Sequence, residues 1–468
     1  MSRPVPVCLE DLSAAAASLL PADVWGYVAG GAGDESTVHL NTEALRAIRL
    51  VPRVLADVSR RSTRGELLRD SCALPVAIAP MAYQKLLHPD GENAMARAAK
   101  RAGVPFVLPM LSSVALEEVA AVGGALWLQL YWLRDRGQTR ELIQRAEAAG
   151  VGALMLTADM PVMGRRLRDL RCGFSLPDHI HAANFGAEQN AAARERHEGN
   201  SAIAGHTALT FDPSLNWSDV EWLRAQTSLP LVVKGILHPQ DATRAAEVGA
   251  DAVVVSNHGG RQLDRSVAGT AVLPRVRDAV GDRCTVLFDG GIRSGSDILC
   301  ALALGADAVL VGRPALWALA VGAEEAVAEA LELLRAELDT AMAITGCRTV
   351  GDARALTVLG PLPCQYQVST AAPAVIPPPT AASSTRSPRS KGRSSCAACS
   401  VSGIDAATVL PSRGAVKTTL ARSIPARSAN VSISLVLAWW RTNRPMSSSR
   451  SPHSSSTSPV SLSSTESA

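Results

Sequence analysis

Residues 253–264 read VVVSNHGGRQLD: an apolar run, then an amide, an imidazole, two glycines, a guanidinium and a carboxylate within nine positions. Imidazole takes up a proton near neutral pH, which makes His258 a candidate base, with Arg261 beside it for an anion. A distant carboxylate, Asp159 in ALMLTAD, is suited to hold the ring and stabilise its charged form. Two more segments, DGGIRSG (289–295) and VGRP (311–314), combine glycines with arginines. Glycines let backbone N–H groups approach a phosphate, and guanidinium forks match its oxygens. Gly290, Gly291, Arg293, Gly312 and Arg313 are therefore candidate phosphate ligands. A lone histidine or a Gly-Gly-x-Arg turn is weak by itself. What gives these weight is that each follows an apolar run.

Those runs are the elements that must position the chemistry. Eight read as strands: 74–80, 105–109, 126–132, 153–159, 229–235, 251–257, 284–291 and 307–314. Helical stretches separate them, such as 91–103, 140–150, 239–250 and 296–306, several of them ending in glycine. Continuous apolar strands with helical crossovers predict a parallel sheet buried on both faces, and eight such units predict a closed (β/α)8 TIM barrel of the α/β class rather than an open doubly wound sheet. In such a barrel the strands' carboxyl ends converge on one cavity. They deliver Pro80, Met81 and Ala82; Gln129 and Tyr131; Thr157 and Asp159, with Arg166 soon after; Lys234; Ser256, Asn257, His258 and Arg261; Asp289 to Arg293; and Gly312 and Arg313. A cavity so rich in cations fits an anionic ligand and acid–base chemistry. Residues 1–65 precede the first strand and are expected as an N-terminal helical cap. Residues 165–216, polar and far longer than a usual crossover, are expected as a lid or binding loop after strand four.

The chain has 468 residues, 47% of them hydrophobic, 19% charged and only 4% aromatic. Its net charge of +3 comes from the end of the chain. Residues 361–468 carry eleven Lys/Arg against two acids, which leaves residues 1–360 mildly acidic and without a nucleic-acid footprint. That terminal stretch, rich in Ser, Pro and Arg, is expected to be a disordered tail. No apolar run is long enough for a membrane span and no signal peptide is read, so a cytoplasmic setting is expected. The nine cysteines show no ligand spacing beyond Cys396 and Cys399 in CAAC, which lack a second pair; no metal is expected.

SNHGGRQLD, DGGIRSG, VGRP, LVVKG, LTADMPVMGRR and QLYW stand in the order found in FMN-dependent 2-hydroxy acid oxidases and dehydrogenases. The chain resembles that family from residue 7 to about 357. Within it, IAPMAYQKLLHP, LSSVALEEVAAVGG and MGRRLRDLRCGFSLP are most similar to 4-hydroxymandelate oxidases. The resemblance implies FMN as cofactor and a homotetramer. It implies His258 as the base paired with Asp159, Arg166 and Arg261 as the carboxylate clamp, and Tyr27 and Tyr131 as hydrogen-bond partners of the substrate. It places Lys234 against the N1–C2=O edge of the flavin, Gln129, Thr157 and Ser256 on the ring system, and Pro80, Met81 and Ala82 past its N5 edge. Asp289 would meet the ribityl chain, and Gly291, Arg293, Gly312 and Arg313 the phosphate. Leu111 stands where glycolate oxidases carry Trp, which is expected to widen the pocket.

The expected reaction is oxidation of an (S)-2-hydroxy acid, mandelate or 4-hydroxymandelate first, to the 2-oxo acid, with oxygen as acceptor. Carbanion and hydride routes both use this base. A lactate- or glycolate-type enzyme is the nearest rival, and a non-catalytic flavin-binding protein the rival of another class.

Overall fold

The computed structural model describes residues 6–186, 190 and 207–360. The expected tail, 361–468, and the middle of the expected lid lie outside the described residues. All eight expected strands form: β1 (Val76–Ile78), β2 (Phe106–Leu108), β3 (Leu126–Leu130), β4 (Ala153–Thr157), β5 (Leu231–Ile236), β6 (Ala252–Val255), β7 (Thr285–Asp289) and β8 (Ala308–Val311). Each pairs in parallel with the next, and β8 returns to β1, with Val309 opposite Val76, so the barrel is closed.

Side chains alternate between the two faces of a strand, so every second residue enters the lumen. Trp127, Met155, Val232, Val254 and Leu287 fill one level of it, all fully buried. Two residues further along the same strands stand Gln129, Thr157, Lys234, Ser256 and Asp289, again buried. The apolar plug thus gives way at the carboxyl end to a polar layer. Outward-facing residues such as Leu128, Leu154, Leu156, Val233 and Val253 meet the helices. Gly91–Ala102 and Gly295–Ala303 are two of these. The latter starts at Ser294, whose hydroxyl accepts from the Asp297 N–H at 3.2 Å.

Two small antiparallel pairs add to the expected elements. Gly65–Leu67 and Asp70–Cys72 form a hairpin at the barrel's amino end. Leu67 and Cys72 pack into the lumen cluster, and the Trp127 indole N–H donates to Asp70 at 2.8 Å. Arg49–Val51 pairs with Thr357–Leu359, joining the start of the barrel unit to its end. Before them, helices Leu9–Leu19, Ala22–Ala29 and Ser36–Ala47 supply the expected cap. The last helical stretch, Arg313–Thr345, breaks direction at Gly322 and Ala323. No described helix is long and apolar enough to cross a membrane.

Leu67 is fully buried beneath the lumen. Leu67→Ala is expected to cost about 2–5 kcal/mol, read as a fall in the urea midpoint at unchanged m-value. A change below about 0.5 kcal/mol would mean the hairpin does not close the barrel.

Candidate active site

The turn after β6 is a single 3-10 turn, His258–Gly260, and it presents His258 with φ at +57°. The Ser256 hydroxyl accepts from the His258 backbone N–H at 2.9 Å, and the Asn257 side chain accepts from the Gly260 N–H at 3.1 Å. The His258 Nδ1 lies 3.0 Å from Asp159 Oδ1. With Nδ1 donating to a carboxylate, the proton is assigned there and Nε2 is left with its lone pair. Asp159 packs against a bulge in β5 between Lys234 and Ile236. At the bulge Gly235 has φ at +106°, and a Cβ there would stand 2.5 Å from the Asp159 Cβ.

Burial, more than any other influence, pushes the His258 imidazole below its ordinary value; Asp159 opposes this, and Lys234 and Arg166 reinforce it. The ring is therefore neutral at pH 7. Burial works against ionisation of Asp159 too, but His258 and Lys234 outweigh it and hold the carboxyl below the usual range. Lys234 Nζ lies 2.9 Å from Asp289 Oδ2 and donates to Ser256 Oγ at 3.0 Å. Desolvation disfavours its charge, yet Asp289 and Asp159 more than restore it, so Lys234 is a buried cation. Gln129 donates to Thr157 Oγ1 at 3.1 Å and accepts from the Met110 N–H at 3.1 Å, which locks the amide's orientation.

One cavity gathers most of the expected residues. Its wall includes Pro80, Met81 and Ala82, Tyr27 and Tyr131, Thr157, Arg166, Lys234, His258, Arg261, Asp289 to Arg293, Gly312 and Arg313. Gln129, Ser256 and Asp159 stand just behind Thr157, Lys234 and His258, through the bonds above. Leu111 is buried and is not part of the wall.

The guanidinium groups are held by backbone more than by acids. Arg261 donates to the Tyr27 and Gly30 carbonyls at 2.9 and 2.7 Å, and its guanidinium lies 5.2 Å from the Tyr27 ring centroid. Arg313 donates to the carbonyls of Val28, Gly259 and Gly30 at 3.2, 3.0 and 2.9 Å. Among the described residues no carboxylate lies within ion-pair distance of Arg313. Burial and the neighbouring Arg261 and Arg293 push it well below its ordinary value. Arg293 lies with its guanidinium 4.9 Å from the Trp317 ring centroid. Burial and Arg261 lower Arg166 to about 10. Such clustered, desolvated cations call for anions, as the phosphate of a bound flavin and a substrate carboxylate would be. Asp289 Oδ1 is buried and accepts nothing among the described residues, which suits a hydroxyl donor such as a ribityl chain. The residues present thus fit FMN.

Several supports were not legible in advance. Asn41 and Asn257 exchange two hydrogen bonds, at 2.9 and 2.7 Å, tying helix Ser36–Ala47 to the catalytic turn. That helix also lies against Gly291, where φ is +90° and a Cβ would meet the Asn41 carbonyl at 2.4 Å. Asp264 accepts from the Asp34 N–H, the Ser36 hydroxyl and the Thr37 N–H, capping the same helix from the loop after β6. Tyr27 stacks on Phe174 at 4.5 Å and Tyr131 on Phe211 at 4.7 Å. The signals that point to such partners are the glycine pairs, which call for something to approach closely.

These opposing influences leave the ring below its ordinary value, with burial the dominant cause. NMR of histidine-labelled protein is expected to show His258 neutral at pH 7. In Asp159→Asn the value falls further, because the carboxylate that raised it is gone. An imidazole still charged at pH 7 would contradict the electrostatic reading.

The model of the FMN-dependent dehydrogenase family matches residues 16–358. The 4-hydroxymandelate oxidase of Amycolatopsis orientalis is 52% identical over 355 residues, 76% of this chain and 99% of that protein. An L-lactate oxidase of Nostoc sp. is 46% identical over 352 residues, 74% of this chain and 96% of that protein. A crystal structure of mandelate oxidase with (S)-4-hydroxymandelic acid superposes with a TM-score of 0.74 at 51% identity, covering 76% of this chain and 99% of that one. With the barrel, the cation-lined cavity and these likenesses together, the chain belongs to the FMN-dependent dehydrogenase family.

Proposed function

We propose that this protein oxidises an aromatic (S)-2-hydroxy acid, mandelate or 4-hydroxymandelate, to the 2-oxo acid, with oxygen as final acceptor and hydrogen peroxide as co-product. One observation carries the reading: the imidazole of His258, backed by Asp159, shares a cavity with Arg166 and Arg261. A carboxylate gripped by the two guanidinium groups sets the neighbouring carbon and hydroxyl before His258 Nε2. Nε2 takes the substrate's proton, and Asp159 stabilises the imidazolium that results. Bound FMN would supply the acceptor for the electron pair and the second hydrogen that the substrate loses, and oxygen, reduced to hydrogen peroxide, would restore it.

The Tyr27 and Tyr131 phenols, both pushed up chiefly by burial, stay protonated and donate to the substrate's oxygens. Lys234, Gln129, Thr157, Ser256 and Asp289 would hold the flavin ring and chain, with Pro80, Met81 and Ala82 alongside. Gly290, Gly291, Arg293, Gly312 and Arg313 would hold its phosphate. Support for an aromatic acid and for oxygen comes from the named activity of the 52%-identical relative. The same reading takes residues 1–360 as the catalytic unit of a cytoplasmic homotetramer, the assembly following from the family resemblance.

The test is anaerobic bleaching of the protein's FMN absorbance by a panel of hydroxy acids. (S)-Mandelate or its 4-hydroxy derivative is expected to bleach faster than lactate or glycolate. His258→Gln is expected to keep FMN and to bleach about 10²–10⁴-fold more slowly. Fast bleaching by lactate with none by mandelate would overturn the substrate; unchanged bleaching in His258→Gln would overturn the base.

A further inference from the structure

Asp169 stands behind Arg166, outside the cavity wall, and no part of the reaction above uses it. It lies in the short helix Leu167–Cys172, three residues after Arg166, and its side chain is fully shielded. Its Oδ2 is 4.0 Å from an Arg166 Nη1, close enough for strong Coulomb attraction and too far for a hydrogen bond. Neither carboxylate oxygen accepts a hydrogen bond from the described residues, and the Arg166 Nε donates none to them.

That is unusual for a buried acid. Glu92, equally buried, shows the contrast: it accepts from the Gln84 N–H, the Ser113 N–H and the Ser113 hydroxyl, and so holds two loops together. Asp169 holds nothing together through its carboxylate. Burial pushes its carboxyl above the ordinary range, and Arg261 and Arg166 oppose this; its charge acts in turn on those two and on Tyr27, the three groups that face the expected substrate carboxylate. Nearby Glu35 and Arg168 neutralise each other in a two-pronged pair. With that pair neutralised, Asp169 is the carboxylate that this segment leaves facing Arg166 and Arg261, while the ionised Asp159 is engaged with His258.

We propose that Asp169 is a positioning and specificity residue. It draws Arg166 into line for the substrate's carboxylate and lowers the positive charge that faces it, so that the pocket favours monoanionic acids over dianionic ones. The proposal rests on the carboxylate-clamp reading of Arg166 and Arg261. Backbone geometry places Asp169 for a second effect. Its carbonyl accepts from the Phe174 N–H at 3.0 Å, and Phe174 stacks on Tyr27, which links the helix to the clamp.

A matched pair of ligands tests this: 2-phenylpropionate, a monoanion, and phenylmalonate, which puts a second carboxylate in place of the methyl and is a dianion at pH 8. Binding to the FMN-loaded protein is read from perturbation of the flavin absorbance, without turnover. The wild type is expected to favour 2-phenylpropionate. In Asp169→Asn the ratio of dissociation constants is expected to move toward phenylmalonate by about tenfold or more. Asp169→Glu is expected to restore the wild-type preference even where kcat stays low, and it serves as the variant should Asn not fold.

If the wild type binds neither ligand, the clamp reading itself fails. If the wild type binds 2-phenylpropionate and Asp169→Asn weakens both ligands equally, or changes neither, Asp169 is structural and the proposal falls. Loss of the preference in a folded Asp169→Glu overturns it as well.

Discussion

The site depends on the side-chain period of two being kept in register around eight parallel strands. The pairings Thr157–Lys234 and Leu287–Ala308 belong to one closed ladder. Sliding any strand by one residue would swing its lumen residue outward, replacing Lys234 by Val233 or Asp289 by Phe288. The same alternation that fills the barrel with Met155, Val232, Val254 and Leu287 therefore lifts Thr157, Lys234, Ser256 and Asp289 to its mouth. Packing of the apolar levels fixes the polar one.

On that floor the electrostatics separate into two kinds. Lys234 with Asp289, and His258 with Asp159, are paired within the protein and set the protonation states needed for proton transfer. Arg261 and Arg313 are gripped by carbonyls at the end of helix Ala22–Ala29 and keep their positive charge available. Carbonyl dipoles orient a guanidinium without neutralising it, so the charge is left to be met by a ligand. The cap is thereby part of the site, because its helix end aims two of the cations.

Much of this was legible in the chain. The eight strands stand out because each apolar run is bounded by turn residues and followed by a helical pattern, and strand-end position then picks out Lys234, His258, Asp289 and Arg313. What escaped is long-range or short. The hairpin 65–72 and the pair joining 49–51 to 357–359 use strands of three residues, too brief to show a period. Asn41 meets Asn257 across 216 positions, and nothing local announces it. Asp169 reads as an ordinary helix-start acid until its burial and its distance from Arg166 are known. Leu111 packs into the core and does not reach the cavity wall.

The central claim is that these cations are held in reserve for anions, and above all for a phosphate at Arg293 and Arg313. Comparing the affinities of the protein for FMN and for riboflavin, which differ by that phosphate alone, tests it most directly. FMN is expected to bind at least about 10²-fold more tightly, in keeping with charge-assisted bonds to two guanidinium groups. Equal affinity for the two flavins would contradict the account.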